Sequence, residues 1–250
     1  MPRERPTLIV FQGGASPSDT PLEAFVMQAQ HACALDLLSL AMDVGVFERA
    51  ILVTDDAALS SEADSLLSRS SLPLIVEESG SGSFHFGDTL KRVCEARSLE
   101  RVVYAGGASL PLATPGLLVD LARAVNGDGQ CVVANSLFSA DFAAFYPASA
   151  LERIALPATD NNLPWLLHYT AGLPFAATAR ALATQFDIDV PPDVAILHLA
   201  CRGASRSASS ASLPGVGTHL DRVLADVPHV MPVLSQNLGR AYDILATRRA

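Results

Sequence analysis

Five short apolar runs punctuate the first half of the chain, at residues 7–11 (TLIVF), 50–54 (AILVT), 73–77 (PLIVE), 101–104 (RVVY) and 131–135 (CVVAN). Each is rich in β-branched residues and too short for an ordinary helix. Glycine, proline or polar residues bound them, so each reads as a buried strand. Between them the spacing changes. Phe25, Ala29, Ala32, Leu35, Leu38 and Met42 recur at helical intervals from about residue 22 to 42, with Gly45 as a stop. A polar helix follows near 57–69, then one over 89–97 capped by Gly87-Asp88, then one from Pro115 to about Val125. Strands apolar along their whole length, alternating with amphipathic helices, form a mainly parallel sheet flanked by helices in three layers. The predicted class is therefore α/β.

The second half is less regular. Residues 137–165 are rich in aromatics and prolines and carry no clear period. Helices are expected over about 163–172 and 175–183, with a closing helix near 236–248. The low-complexity stretch 203–212 (GASRSASSAS) reads as a hinge or surface loop. This divides the chain into an α/β domain over 1–202 and a C-terminal extension over 203–250 that packs on it.

Composition limits what such a domain can do. Half of the residues are hydrophobic and 17% are charged, enough for a sizeable core and against disorder. The net charge of −9 argues against a nucleic-acid partner, because phosphate backbones need clustered Lys and Arg. No apolar run reaches membrane-spanning length, so no membrane partner is expected. The first apolar run is five residues long, below the roughly 7 to 15 of a signal-peptide core, and a cytoplasmic location is expected. Cys33, Cys94, Cys131 and Cys201 are widely spaced and read as buried free thiols. Oligomeric state stays open at this level.

In a parallel sheet, ligands occupy the crevice at the carboxyl ends of the strands. The loops at 12–20, 54–57 and 105–111 should therefore converge. Gly13 and Gly14 could bring backbone N–H groups close to phosphate, or form an ordinary tight turn. Asp55 and Asp56 could meet a base, ribose or metal, or cap a helix. Gly106, Gly107 and Ser109 imply a close backbone approach to a ligand or a strand. Ser109 is not a G-x-S-x-G nucleophile, since Leu110-Pro111 follows it. Asp141 and Asp160 sit in the irregular half, as acceptor-pocket or turn residues. Asp187 and Asp189, two apart on an extended segment, face one side and could chelate a metal together. The six histidines show no metal spacing; His85, between Phe84 and Phe86 beside the flexible glycine-serine loop at 78–84, is the one to watch.

Two segments resemble the MobA-like and CofC-like nucleotidyltransferases of the GT-A fold: residues 102–112 (VVYAGGASLPL) and 186–193 (FDIDVPPD). The resemblance implies a nucleotide-binding enzyme that transfers a nucleotidyl group from a nucleoside triphosphate to a phosphorylated small molecule or cofactor precursor. It implies Mg²⁺ or Mn²⁺ held by Asp187 and Asp189, and nucleotide contacts at Gly13, Gly14, Asp55, Gly106, Gly107 and Ser109. The chain departs from the pattern in three places. Ser109 stands where the family carries a metal-binding Asp, Val190 replaces the usual Thr, and the first loop holds Asp19 in place of basic residues. These departures motivate a second expectation, a catalytically silent relative that binds a nucleotide or a partner protein. A glycosyltransferase of the same fold ranks third, since the only D-x-D of suitable form, at 187–189, lies late in the chain.

Overall fold

The computed structural model describes residues 5–14, 20–67, 72–78, 84–204 and 216–247, with 202–204 and 238–247 as backbone only. Strand β1 (Thr7–Phe11) leads into helix α1 (Pro21–Val44), followed by β2 (Arg49–Thr54), α2 (Ala57–Leu67), β3 (Leu74–Glu78), α3 (Phe86–Ala96), β4 (Val102–Gly106), α4 (Pro115–Val125) and β5 (Cys131–Ala134). The sequence signals explain these elements. α1 opens on a capping box, in which Thr20 accepts from the Glu23 N–H and the Glu23 carboxylate accepts from the Thr20 N–H. It ends at Gly45 in the left-handed conformation. The central residues of β1, β2 and β4 are essentially sealed from solvent, as unbroken apolar strands require.

The sheet has seven strands in the order β3-β2-β1-β4-β6-β5-β7. β1 pairs in parallel with β2 and β4, and β2 with β3. One core lies on the α1, α2 and α4 side, around Leu8, Val10, Leu52 and Val103; a second lies on the α3 and α5 side, around Ile9, Ile51, Tyr104 and Phe145. These two faces are the alternating side chains of the same strands. The three-layer α/β class expected from the sequence is the class found.

The second half corrects several local expectations. Residues 142–146 form β6 (Phe142–Tyr146), which runs antiparallel between β4 and β5. Helix α5 (Leu163–Tyr169) is shorter than expected, and the helix expected over 175–183 is absent. Phe175–Ala177 is instead strand β7, parallel to β5, followed by the one-turn α6 (Leu182–Gln185). In the first half, α3 starts at Phe86 with His85 as its cap, so Gly87 and Asp88 lie inside its first turn and do not precede it.

Helices α7 (Pro191–Ala204), α8 (Thr218–Leu224) and α9 (Val227–Thr247) end the described chain. With α1 they share a third apolar cluster around Val26, Cys33, Ile188, Val194, Leu220 and Leu234. The expected hinge lies almost wholly outside the described residues. Asp36 of α1 ties α8 down: its carboxylate accepts from the N–H groups of His219 (2.9 Å) and Leu220 (2.8 Å) and meets His219 Nδ1 at 2.8 Å. Among the described residues, no helix is long and apolar enough to cross a membrane.

Candidate functional site

The carboxyl ends of β1, β2 and β4 open into one cavity of about 480 Å³. Phe11, Gln12 and Gly13 come from the end of β1, Val53 and Asp55 from β2, and Gly106 from β4. Phe84, Phe86, Ala158, Thr159 and Asp160 close the opposite wall. The first loop contributes Gly13 and Gly14, while Ala15 to Asp19 lie outside the described residues.

Local physics fixes each wall. Gly107 must be glycine, because a Cβ there would stand 2.2 Å from Gln12 Oε1 and 2.8 Å from Gln12 Cβ. Gln12 is thereby pressed onto the β4 turn, and its amide nitrogen donates to the Gly13 carbonyl at 3.0 Å and approaches Met27 Sδ at 3.3 Å. Gly87 is equally constrained, since a Cβ would meet Pro157 at 2.8 Å. That contact lets the N–H groups of Phe86 and Gly87 donate to the carbonyls of Ala158 (3.1 Å) and Pro157 (2.9 Å). The 157–160 loop is thus laced to the start of α3, and Asp160 is carried over Gly106. An ideal Gly106 Cβ would lie 4.0 Å from Asp160 Oδ2 and 3.9 Å from Ser109 Oγ.

The aspartates at the β2 end divide their roles. Asp56 accepts from the Leu59 N–H at 2.7 Å and caps α2. Asp55 faces the cavity and accepts from the Gly14 N–H at 2.8 Å through Oδ1. Ser109 is buried, and its hydroxyl donates to the Gly106 carbonyl at 2.7 Å. The next residue, Leu110, holds φ 65°, a left-handed conformation that disfavours side chains. Its burial in the core keeps it there. His85 accepts from the Asp88 N–H at 3.3 Å through Nδ1, a capping role away from the cavity wall.

The two segments singled out in the sequence meet in space. Ser109 and Asp187 form an isolated antiparallel bridge, and the Ile188 N–H donates to the Ala108 carbonyl at 3.1 Å. Helix α1 holds both strands of this contact: Gln30 donates to the Ile188 carbonyl at 2.6 Å, and the Cys33 thiol approaches the Ser109 carbonyl at 3.3 Å. Asp193 accepts from the N–H groups of Asp189 (3.0 Å) and Val190 (2.9 Å), fixing the turn into α7.

Negative charge accumulates here. Burial pushes the Asp187 carboxyl up to about 6, and Asp189, Asp141 and Asp193 add to the rise. Asp189 is raised by burial, then by Asp193 and Asp141. Burial also raises Asp160, with Asp141 and Asp189 acting in the same direction. The buried Tyr104 hydroxyl has no partner and is held protonated by burial and by Asp160 and Asp141. No basic side chain among the described residues lines the cavity. Among the described residues, no three Asp, Glu, His or Cys side chains stand together to hold a metal. The donor chemistry nonetheless suits Mg²⁺, which is commonly held by one or two carboxylates together with substrate phosphates.

Of the residues expected from the sequence, Gly13, Asp55 and Gly106 line the cavity and Gly14, Gly107 and Ser109 border it. Asp187 and Asp189 flank the β4 turn. The aromatic wall of Phe11, Phe84 and Phe86, with Gln12 and Thr159, carried no sequence signal beyond proximity to the loops.

No family model matches the sequence, and no curated protein matches it at a significant level. Its structure is similar to solved ones. A protein assigned to the nucleotide-diphospho-sugar transferases from Desulfovibrio desulfuricans aligns with a TM-score of 0.54 at 11% identity, covering 90% of this chain and 98% of that one. A cytidylyltransferase from Leptospira borgpetersenii gives 0.53 at 14% identity, covering 91% and 96%. CMP:2-keto-3-deoxy-manno-octonic acid synthetase, solved with CTP, gives 0.50 at 13% identity, covering 78% and 97%. At these identities the likeness is one of fold: the chain has the nucleotide-diphospho-sugar transferase fold.

Proposed function

Starting from that fold, we propose that this chain is a nucleotidyltransferase of the MobA-like and CofC-like kind. It would transfer a nucleotidyl group from a nucleoside triphosphate to a phosphorylated small molecule or cofactor precursor. The observation that carries this reading is the pairing of the β4 turn with residues 186–193, through the Ser109–Asp187 bridge and the Ile188 to Ala108 hydrogen bond. Two motifs some 80 residues apart in sequence are joined at the strand ends, where such sheets bind ligands.

In this reading the nucleoside lies in the cavity between Phe11, Phe86, Asp55 and Gly106. An oxygen of the acceptor phosphate attacks the α-phosphorus, the bond to the β-phosphate oxygen breaks, and pyrophosphate leaves. Asp187 and Asp189 would hold Mg²⁺ or Mn²⁺, whose chemistry is to neutralise charge on the phosphates. The chain's own contribution is positioning, with α1 fixing the β4 turn and the 186–193 segment as one unit.

The test is pyrophosphate release with CTP, GTP, ATP and UTP, with and without Mg²⁺ or Mn²⁺, beside a thermal-shift screen of the same set. A ligand at a hundred times its dissociation constant stabilises the fold by about 2.7 kcal/mol, a readable shift. Metal-dependent release is expected with at least one triphosphate, and its loss in an Asp187→Ala, Asp189→Ala double variant. Full activity in that variant would remove both residues from the mechanism.

A second reading has its own support: among the described residues no basic side chain lines the cavity, Asp55 occupies the Gly14 N–H, and the Ser109 hydroxyl is spent on Gly106. A silent nucleotide-binding relative would give a thermal shift without pyrophosphate release.

A further inference from the structure

The cavity's side chains present acceptors and few donors. Asp55 uses Oδ1 on the Gly14 N–H and keeps Oδ2 for a ligand. Asp160 brings a second carboxylate to the opposite side, over Gly106. Gln12 could have supplied a donor, but its amide nitrogen is taken by the Gly13 carbonyl and Met27, and its Oε1 is packed against Gly107. Among the described lining residues, Thr159 alone offers a hydroxyl. The remaining side chains are apolar, Val53, Ala158 and three aromatic rings, with Phe11 5.1 Å from Phe86 and 6.3 Å from Phe84, ring centre to ring centre. A planar heterocycle suits such a wall, and about 480 Å³ lies within the usual range for small-molecule sites.

From this we infer that the cavity selects a nucleobase bearing an exocyclic amino group (cytosine, adenine or guanine) over uracil, with Asp55 and Asp160 as the selecting acceptors. The inference rests on the nucleotide-binding part of the proposed function and deepens it. An amino group turned toward either carboxylate makes a charge-assisted hydrogen bond. The corresponding carbonyl of a keto base would face a carboxylate, leaving two acceptors opposed and unpaired.

Uncharged nucleosides isolate this effect, since they need neither phosphate contacts nor a metal. The full-length protein is titrated calorimetrically with three pairs that differ by one group: cytidine and uridine, adenosine and inosine, guanosine and inosine. At least one amino member should bind about tenfold more tightly than its partner. Asp55→Asn and Asp160→Asn are then compared. Asparagine at 55 can still accept from Gly14 through Oδ1 while presenting N–H groups to the ligand. The amino preference should collapse or reverse in at least one variant, with thermal melts confirming that both are folded. Equal affinities within every pair, no nucleoside binding, or a preference unchanged in both variants would each overturn the inference. Pyrophosphate release without amino preference would leave the proposed reaction standing and this inference fallen. Amino preference without turnover would do the reverse.

Discussion

Asp187 is a carboxyl group in surroundings that favour its proton. Its value of about 6 in the folded protein stands well above the ordinary 3.8, through burial first and then Asp189, Asp141 and Asp193. The folded state therefore binds this proton more tightly than the unfolded chain. Between about pH 4 and pH 6 the folded protein carries the extra proton, and stability falls as pH rises through that window. Above about pH 6 the penalty is complete. An Asp187→Asn variant should be more stable than the wild type at pH 7, by about 1 kcal/mol once solvent screening is allowed for. The advantage should vanish below about pH 4, and urea melts at both pH values read it. A constant difference across the range would assign the effect to something other than charge. The Asp187-Ile188-Asp189 spacing was legible because both residues sit on one short extended segment. The sequence offers Asp160 only as a pocket or turn residue. Its place over Gly106 depends on Gly87 admitting Pro157 against α3, a packing event that no local pattern encodes.

At the scale of elements, α8 depends on one distant side chain. Seven residues cannot hold a helix in water unaided. Asp36 supplies the missing partner for two free N–H groups at its start, much as an N-cap residue does from within the chain. The fit is close enough that a Cβ at Gly217 would stand 2.2 Å from Asp36 Cγ. Asp36→Ala should lower global stability by about 1 to 3 kcal/mol and speed hydrogen exchange over 217–224 more than over β1 or β4. Uniform exchange changes would mean that Asp36 serves α1 and not the docking of α8. Elements built from local signals were the ones read well. β1, β2, β4 and β5 are continuous apolar runs, and α1 carries its own cap. The helix expected over 175–183 gives way to β7 because pairing with β5 overrides the helix preference of Ala176 and Ala177. β6 carries little local signal because its five residues lie among prolines and aromatics, and its pairing with β4 joins residues about 40 apart. Residues 194–199 (VAILHL) form the interior of α7, whose Pro191 sits in the first turn, where a missing N–H costs nothing.

Over the whole molecule, charge sets the terms on which an anionic ligand can approach. The chain carries −9, and Asp55 and Asp160, which are part of that charge, line the cavity with no described lining cation to offset them. Sites that bind phosphate through Lys and Arg lose affinity as salt rises, because screening weakens attraction. Here the long-range field opposes a bare triphosphate, so screening removes a repulsion. Raising ionic strength from about 0.01 M to about 0.15 M shortens the Debye length from about 30 Å to about 8 Å, roughly from the scale of the domain to that of the site. Binding of a metal-free nucleoside triphosphate should therefore tighten, or its association quicken, over that range. Stopped-flow with a fluorescent triphosphate in the presence of a chelator measures both. Saturating Mg²⁺ should flatten the dependence, since the ion pairs with the phosphates before they meet the field. A loss of affinity with salt would mean that cationic side chains from outside the cavity lining dominate the encounter, and the acidic rim would then be a local feature with no reach into solution.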